Sequence, residues 1–125
     1  GDTGLARTNS GPPGLEVGVK RGDLVTVTLQ GTYGKPRPAL VIQSNLFAEH
    51  PSVTFLPLTS ELVDAPLIRI HVESSAENGL QRPSQIMVDK ASTLPRSKIS
   101  EPFGHVDDET TLAVTRALTV FLGFA

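Results

Sequence analysis

Val25, Val27 and Leu29 alternate with Thr26, Thr28 and Gln30 in "DLVTVTLQ" (residues 23–30), the period-two pattern of a half-buried strand. "ALVIQS" (39–44) is short, β-branched and continuously apolar, which predicts a central strand covered on both faces. "SVTFLPL" (52–58) makes a third strand with Val53, Phe55 and Pro57 on one face. A proline there implies that the strand ends or lies at an edge. "LIRIHV" (67–72) alternates as a fourth strand, "SQIMVD" (84–89) forms a fifth, and "ISEPFGHV" (99–106) a weaker sixth. Breakers separate them: "GTYGKPRP" (31–38) reads as a loop, and Asn78–Gly79 as a turn.

The last segment changes period. Asp107 or Asp108 is suited to cap a helix, with further acids in the first turn where the helix dipole favours them. Val114, Leu118 and Phe121 then recur at helical spacing beside Ala117 and Leu122, and Gly123 stops the run. Phe55 and Phe121 are expected in the core. Five or six short strands and one amphipathic C-terminal helix predict a mainly β protein, a small and strongly curved barrel with the helix across an end or face.

At 125 residues the chain fits one domain. Residues 1–18, rich in Gly, Pro, Ser and Thr and without an initiator Met, read as a flexible tail, compatible in part with a cloning remnant. The folded domain is expected over residues 19–125. There is no Cys, which excludes a disulfide framework and a thiolate metal site. The three histidines, His50, His71 and His105, follow no ligand spacing. No apolar run approaches the ~18 residues of a membrane span and no signal-peptide pattern is present, so the expected location is the cytoplasm.

A net charge of −2 disfavours indiscriminate nucleic-acid binding. The charge is nonetheless segregated. Lys20, Arg21, Lys35 and Arg37 outweigh Asp23 and Glu49 in the first part, and Arg82, Lys90, Arg96 and Lys98 outweigh Asp89 before residue 100. The intervening and final segments are acidic, so one local basic face for a polyanion is allowed.

Three polar groups end apolar runs, where a scaffold can hold them for chemistry. Arg37 sits between Pro36 and Pro38, which stiffen the backbone around a guanidinium suited to a phosphate or carboxylate. Thr59 and Ser60 close the third strand, and Asp89 ends the fifth, followed by Lys90. Each has a plain structural alternative: Arg37 pairing a surface Asp, Thr59 and Ser60 making a turn, Asp89 bonding the N–H of Ala91 or Ser92.

Taken together, "KRGDLVTVTL", "GKPRPALVIQS", "FLPLTS" and "SQIMVDKASTLPRSKI", in that order and spacing, resemble the MazF/PemK toxins of bacterial toxin–antitoxin pairs. The resemblance runs from Val19 to about Phe124. It implies an SH3-like barrel of the PemK/CcdB type, a homodimer, and cleavage of single-stranded RNA without metal or other cofactor. The ribose 2′-OH is the implied nucleophile, leaving 2′,3′-cyclic phosphate and 5′-OH ends. It also implies a cognate antitoxin as partner. Residue by residue, Arg37 matches the family's catalytic arginine, Thr59 its threonine, Ser60 the neighbouring phosphate contact, and Asp89 an aspartate that serves some members as base.

The chemistry is consistent with that allocation. Arg37 and the hydroxyls of Thr59 and Ser60 can stabilise a pentacoordinate phosphorane, whereas a guanidinium, with a pKa above about 12, is a poor proton donor. For unpaired bases, Tyr33 is the first stacking candidate and Phe47 the second. Lys20, Lys35, Arg82 and Lys90 are candidates to follow the phosphates. The alternative is a CcdB-like toxin, which shares the barrel but acts on DNA gyrase without cutting RNA.

Overall fold

The computed structural model describes residues 18–29 and 34–125. The expected tail, Gly18 excepted, therefore lies outside the described residues, as does Tyr33. The strands are β1 (Asp23–Thr28), β2 (Pro36–Val41), β3 (Ser52–Thr59), β4 (Arg69–Val72), β5 (Ser84–Met87), β6 (Ser92–Pro95) and β7 (Gly104–His105), followed by helix α1 (Asp108–Phe121). They pair antiparallel in the order β4-β5-β3-β2-β1-β7, with β6 on β3.

Because side chains alternate across a strand, the apolar runs of β1, β2 and β3 feed two cores. Val25, Val27, Ala39, Val41, Val53 and Phe55 pack on one face, with Leu94 and Ile99 against them. Leu24, Leu40, Leu56, Leu58, Ile86 and Val88 pack on the other, under Val114 of α1. Each such fully buried apolar side chain contributes roughly 1.5–3 kcal/mol relative to exposure. The sheet curls on itself where β6 pairs β3 and Ile99 forms a bridge to Val27 of β1. The mainly β barrel with a C-terminal helix is thus observed, with seven strands rather than five or six. The additional strand, β6, has Leu94 as its single strongly apolar residue, because it pairs only with β3 and half its side chains face outward.

Three local expectations are corrected. The Pro36–Pro38 stretch is strand, not loop: Pro36 pairs Thr28 and Pro38 pairs Thr26. Here β2 has β1 as its one strand neighbour, and residues two apart direct their N–H groups to the same side, so the prolines cost no ladder bond on the β1 side. Pro57 is buried within a central strand rather than at an edge. It is tolerated because β3 pairs β6 through Ser52–Phe55 and β5 through Leu58 and Thr59, leaving no pair at Leu56 or Pro57 on that side. Phe121 is 48% exposed and Leu122 56%, whereas Phe55 is fully buried as expected. Asp107 is the helix cap, its carboxylate accepting from the Thr110 N–H at 2.8 Å.

Candidate functional site

The mixed register at one end of the barrel creates a cleft. The β2–β3 ladder pairs Ala39 with Pro57; continuing that register by two residues sets Arg37 opposite Thr59. Alternation then puts Pro36, Pro38, Leu58 and Ser60 on the opposite face. There a cleft of about 540 Å³ opens, with no residue of α1 in its lining. Pro38, Leu58 and Ser60 form one side of it, and Leu80, Gln81, Arg82 and Phe103 the other; Arg37, although its strand position belongs to the far face, also lines it, whereas Thr59 does not.

The second side is a segment held by one side chain. Asn78, 5% exposed, accepts from the Ser75 and Leu80 N–H groups at 3.0 and 2.9 Å and donates to the Glu73 carbonyl at 2.8 Å. Gly79 follows at φ +69°, a conformation that L side chains rarely adopt. Gly104 approaches so closely that a Cβ on it would stand 2.3 Å from the Asn78 carbonyl oxygen. The turn that leads into this wall is therefore pinned at Asn78, and the Gly79 N–H donates to the Ser75 carbonyl at 3.0 Å.

Charge in the cleft is one-sided. It is lined by two arginines and by no carboxylate. Three other arginines are committed: Arg21 donates to the Ile42 carbonyl and to Thr115 at 2.8 Å, Arg69 to Asp89, and Arg96 to the Ala48 and His50 carbonyls; Arg116 lies on α1, outside the cleft. Among the described residues neither Arg37 nor Arg82 pairs with a carboxylate. The surface-Asp alternative for Arg37 is thus absent among them.

The remaining candidates are distributed as follows. Thr59 Oγ1 accepts from the Glu61 N–H at 3.0 Å, a turn contact that leaves the hydroxyl proton free to donate elsewhere. Lys35 directly precedes β2 and is exposed at this end. Lys20 precedes β1, whose start pairs with the far end of β2, so it stands away from Arg37. Asp89 and Lys90 lie on a 3-10 turn after β5, and Asp89 is ion-paired with Arg69 instead of lining the cleft. Phe47 lies beyond the far end of β2, so it too is remote from Arg37. Among the described residues no three His, Asp or Glu side chains converge as a metal-ligand set.

Sequence reasoning did not assign Phe103 or Gln81 to the site. Phe103 belongs to a segment read as strand, and its signal was Gly79, whose missing Cβ leaves room for the ring.

Comparisons with known proteins agree with this architecture. Residues 20–122 match the family described as PemK-like, MazF-like toxin of type II toxin-antitoxin system. The chain is 43% identical over 108 residues to a protein of Mycolicibacterium smegmatis named probable endoribonuclease MazF, covering 86% of this chain and 99% of that one. It is 31% identical over 110 residues to endoribonuclease EndoA of Bacillus subtilis, covering 83% and 94%. Among solved structures, Mycobacterium tuberculosis toxin MazF-mt6 superposes with a TM-score of 0.69 at 22% identity, covering 81% of this chain and 96% of that one. An endoribonuclease in complex with its cognate antitoxin, from a mycobacterial species, superposes at 0.70 with 21% identity, covering 86% and 97%. A conserved barrel at such low identity is a statement about fold, while the family match and the closer sequence relatives speak to lineage. The chain belongs to the PemK-like, MazF-like toxin family of type II toxin–antitoxin systems.

Proposed function

We propose that the chain is an endoribonuclease toxin that cuts single-stranded RNA at the cleft between Arg37 and Arg82. The observation that carries this reading is the one-sided charge: two arginines and no carboxylate line a cleft on a chain of net charge −2. Such a site attracts a phosphodiester and repels nothing in it. Both curated relatives are named endoribonucleases, which supports RNA as substrate over the gyrase-directed alternative.

In the reaction, the ribose 2′-oxygen forms a new bond to phosphorus and the bond from phosphorus to the 5′-oxygen breaks. The 2′-OH proton leaves and the 5′-oxygen gains one, giving 2′,3′-cyclic phosphate and 5′-OH ends. Arg37 holds the non-bridging oxygens as charge grows on them, the step where preorganised donors contribute most. Ser60, in the cleft, and Thr59, opposite Arg37, supply hydroxyl donors. Arg82 and Lys35 bind flanking phosphates. Asp89, tied to Arg69, positions the turn after β5, since its carboxylate reaches the RNA only if that ion pair opens.

The protein acts in the cytoplasm, where its RNA is found, and no helix among the described residues is long and apolar enough to cross a membrane. It forms a homodimer through the outer face of α1 and its C-terminal end, where Val120, Phe121, Leu122 and Phe124 are 48–80% exposed, more clustered apolar surface than a monomer usually leaves in water. A cognate antitoxin silences it by placing an acidic or apolar tail in the cleft; solved neighbours of this fold include an endoribonuclease in complex with its cognate antitoxin and a MazE-MazF structure. The test is to incubate the folded protein with a long unstructured RNA in EDTA and map the ends. Discrete fragments with 5′-OH and cyclic-phosphate termini are expected; intact RNA defeats the reading.

A further inference from the structure

Phe103 has the cleft on one side and the Gly79 backbone on the other. It is 40% exposed, while fully buried Phe55 fills the core. Its N–H donates to the Leu24 carbonyl at 2.9 Å, which fixes its Cα against β1. Behind the ring lies Gly79: a Cβ there would fall 3.0 Å from Cδ1 and 3.6 Å from Cε1. The ring is thus packed on a backbone that offers it no side chain, and it lines the cleft together with Arg37 and Arg82. What sets this ring apart is its place: it is braced from behind by the Gly79 backbone and opens on the cleft that the two arginines line.

We propose that Phe103 is the stacking platform for one unpaired nucleobase next to the scissile phosphate, with the Gln81 amide reading that base's edge. The inference rests on the ribonuclease reading above and deepens it by naming a specificity element. Every base presents a π-face to an aromatic ring, and a side-chain amide offers both a donor and an acceptor. A cleft of about 540 Å³ lies in the range of small-ligand sites, enough for one nucleotide. The two arginines that line the same cleft hold the phosphates on either side of it, so the base is delivered to the ring with its backbone already fixed. Phe47, on the surface at the other end of β2 and 54% exposed, does not line this cleft.

The chain contains no Trp, so Phe103→Trp introduces a single fluorophore at the platform, and Phe47→Trp provides the matched control. Each is titrated with a short RNA of the sequence the wild type cuts, carrying 2′-deoxyribose at the scissile nucleotide so that it stays intact. Quenching at position 103 with no change at 47 is expected. In parallel, Phe103→Ala should bind that RNA roughly 5- to 100-fold more weakly and lose preference at one base adjacent to the cut, while Phe103→Tyr retains both. A wild type that cuts RNA with no quenching at 103, or with equal quenching at 47, overturns the platform and leaves the nuclease standing. A folded wild type that cuts no RNA removes the substrate class, and the platform with it.

Discussion

Asp89 and Arg69 form an ion pair between the turn after β5 and the start of β4, their side chains 20% and 14% exposed. The pair bridges two neighbouring strands, since Arg69 lies directly across the ladder from Met87. It locks together the small sheet over which β3 ends in Thr59.

Removing either partner leaves a half-buried charge without its counterpart, at a cost of about 1.5–3 kcal/mol. Asp89→Asn and Arg69→Gln should each lower the unfolding midpoint, and the double variant should lose less than the two single losses combined. Urea unfolding of all four proteins measures this coupling. Cleavage by folded Asp89→Asn is expected to stay within about tenfold of wild type, because the carboxylate acts from outside the cleft; a loss of ~10³-fold would make Asp89 the base.

Gly104→Ala forces a Cβ to within 2.3 Å of the Asn78 carbonyl oxygen. Backbone cannot swing aside as a side chain can, so overpacking of about 1–3 kcal/mol or more is expected. Thermal unfolding should show a drop of several degrees, and cleavage by the surviving folded fraction should fall because the wall carrying Gln81 and Arg82 has moved. An unchanged midpoint would mean that the two segments are not held in contact.

The Thr110 hydrogen bonds hold the Asp107 carboxyl below the usual carboxylate range. A depressed folded-state pKa contributes stability above the unfolded value, near 3.9, and that contribution is lost as pH falls through the folded value. Asp107→Ala should therefore melt below wild type at neutral pH, with the gap narrowing only below about pH 4. A gap independent of pH would show that the charged cap contributes nothing.

Val120→Asp together with Phe121→Asp places charge on the apolar end of α1. Light scattering after size exclusion should report a dimer for wild type and a monomer for the variant with its circular dichroism intact. A variant that remains dimeric would place the interface elsewhere.

Much of the barrel was legible because burial writes itself as period: Val25 and Val27 against Thr26, and the unbroken Ala39–Val41 run, announce one covered face and two. The Asp107 cap was legible because its chemistry is local. β6 was hidden since a peripheral strand with Leu94 as its one strong apolar residue carries almost no period. Pro57 misled because a proline's meaning depends on which neighbour its missing N–H would have met, and that is a property of the ladder. Phe121 kept helical spacing with Val114, but spacing says which side of a helix an apolar residue occupies, not how far the covering sheet extends. Arg37, Thr59 and Ser60 could be picked out as strand ends. Arg82 could be named from its charge, but its place on a facing wall with Phe103 could not, because that wall is set by the approach of Gly104 to Asn78.

The central claim is that Arg37 holds the reacting phosphate. The measurement that bears on it most directly is the single-turnover cleavage rate of a defined RNA by wild type, Arg37→Lys and Arg37→Ala, at matched folded concentrations and in EDTA. Loss of a preorganised charged donor predicts a fall of roughly 10²–10³-fold for alanine. Partial retention is expected for lysine, which keeps the charge but not the planar fork. An alanine variant that cuts within about threefold of wild type, a difference of well under 1 kcal/mol in the barrier, would contradict the account.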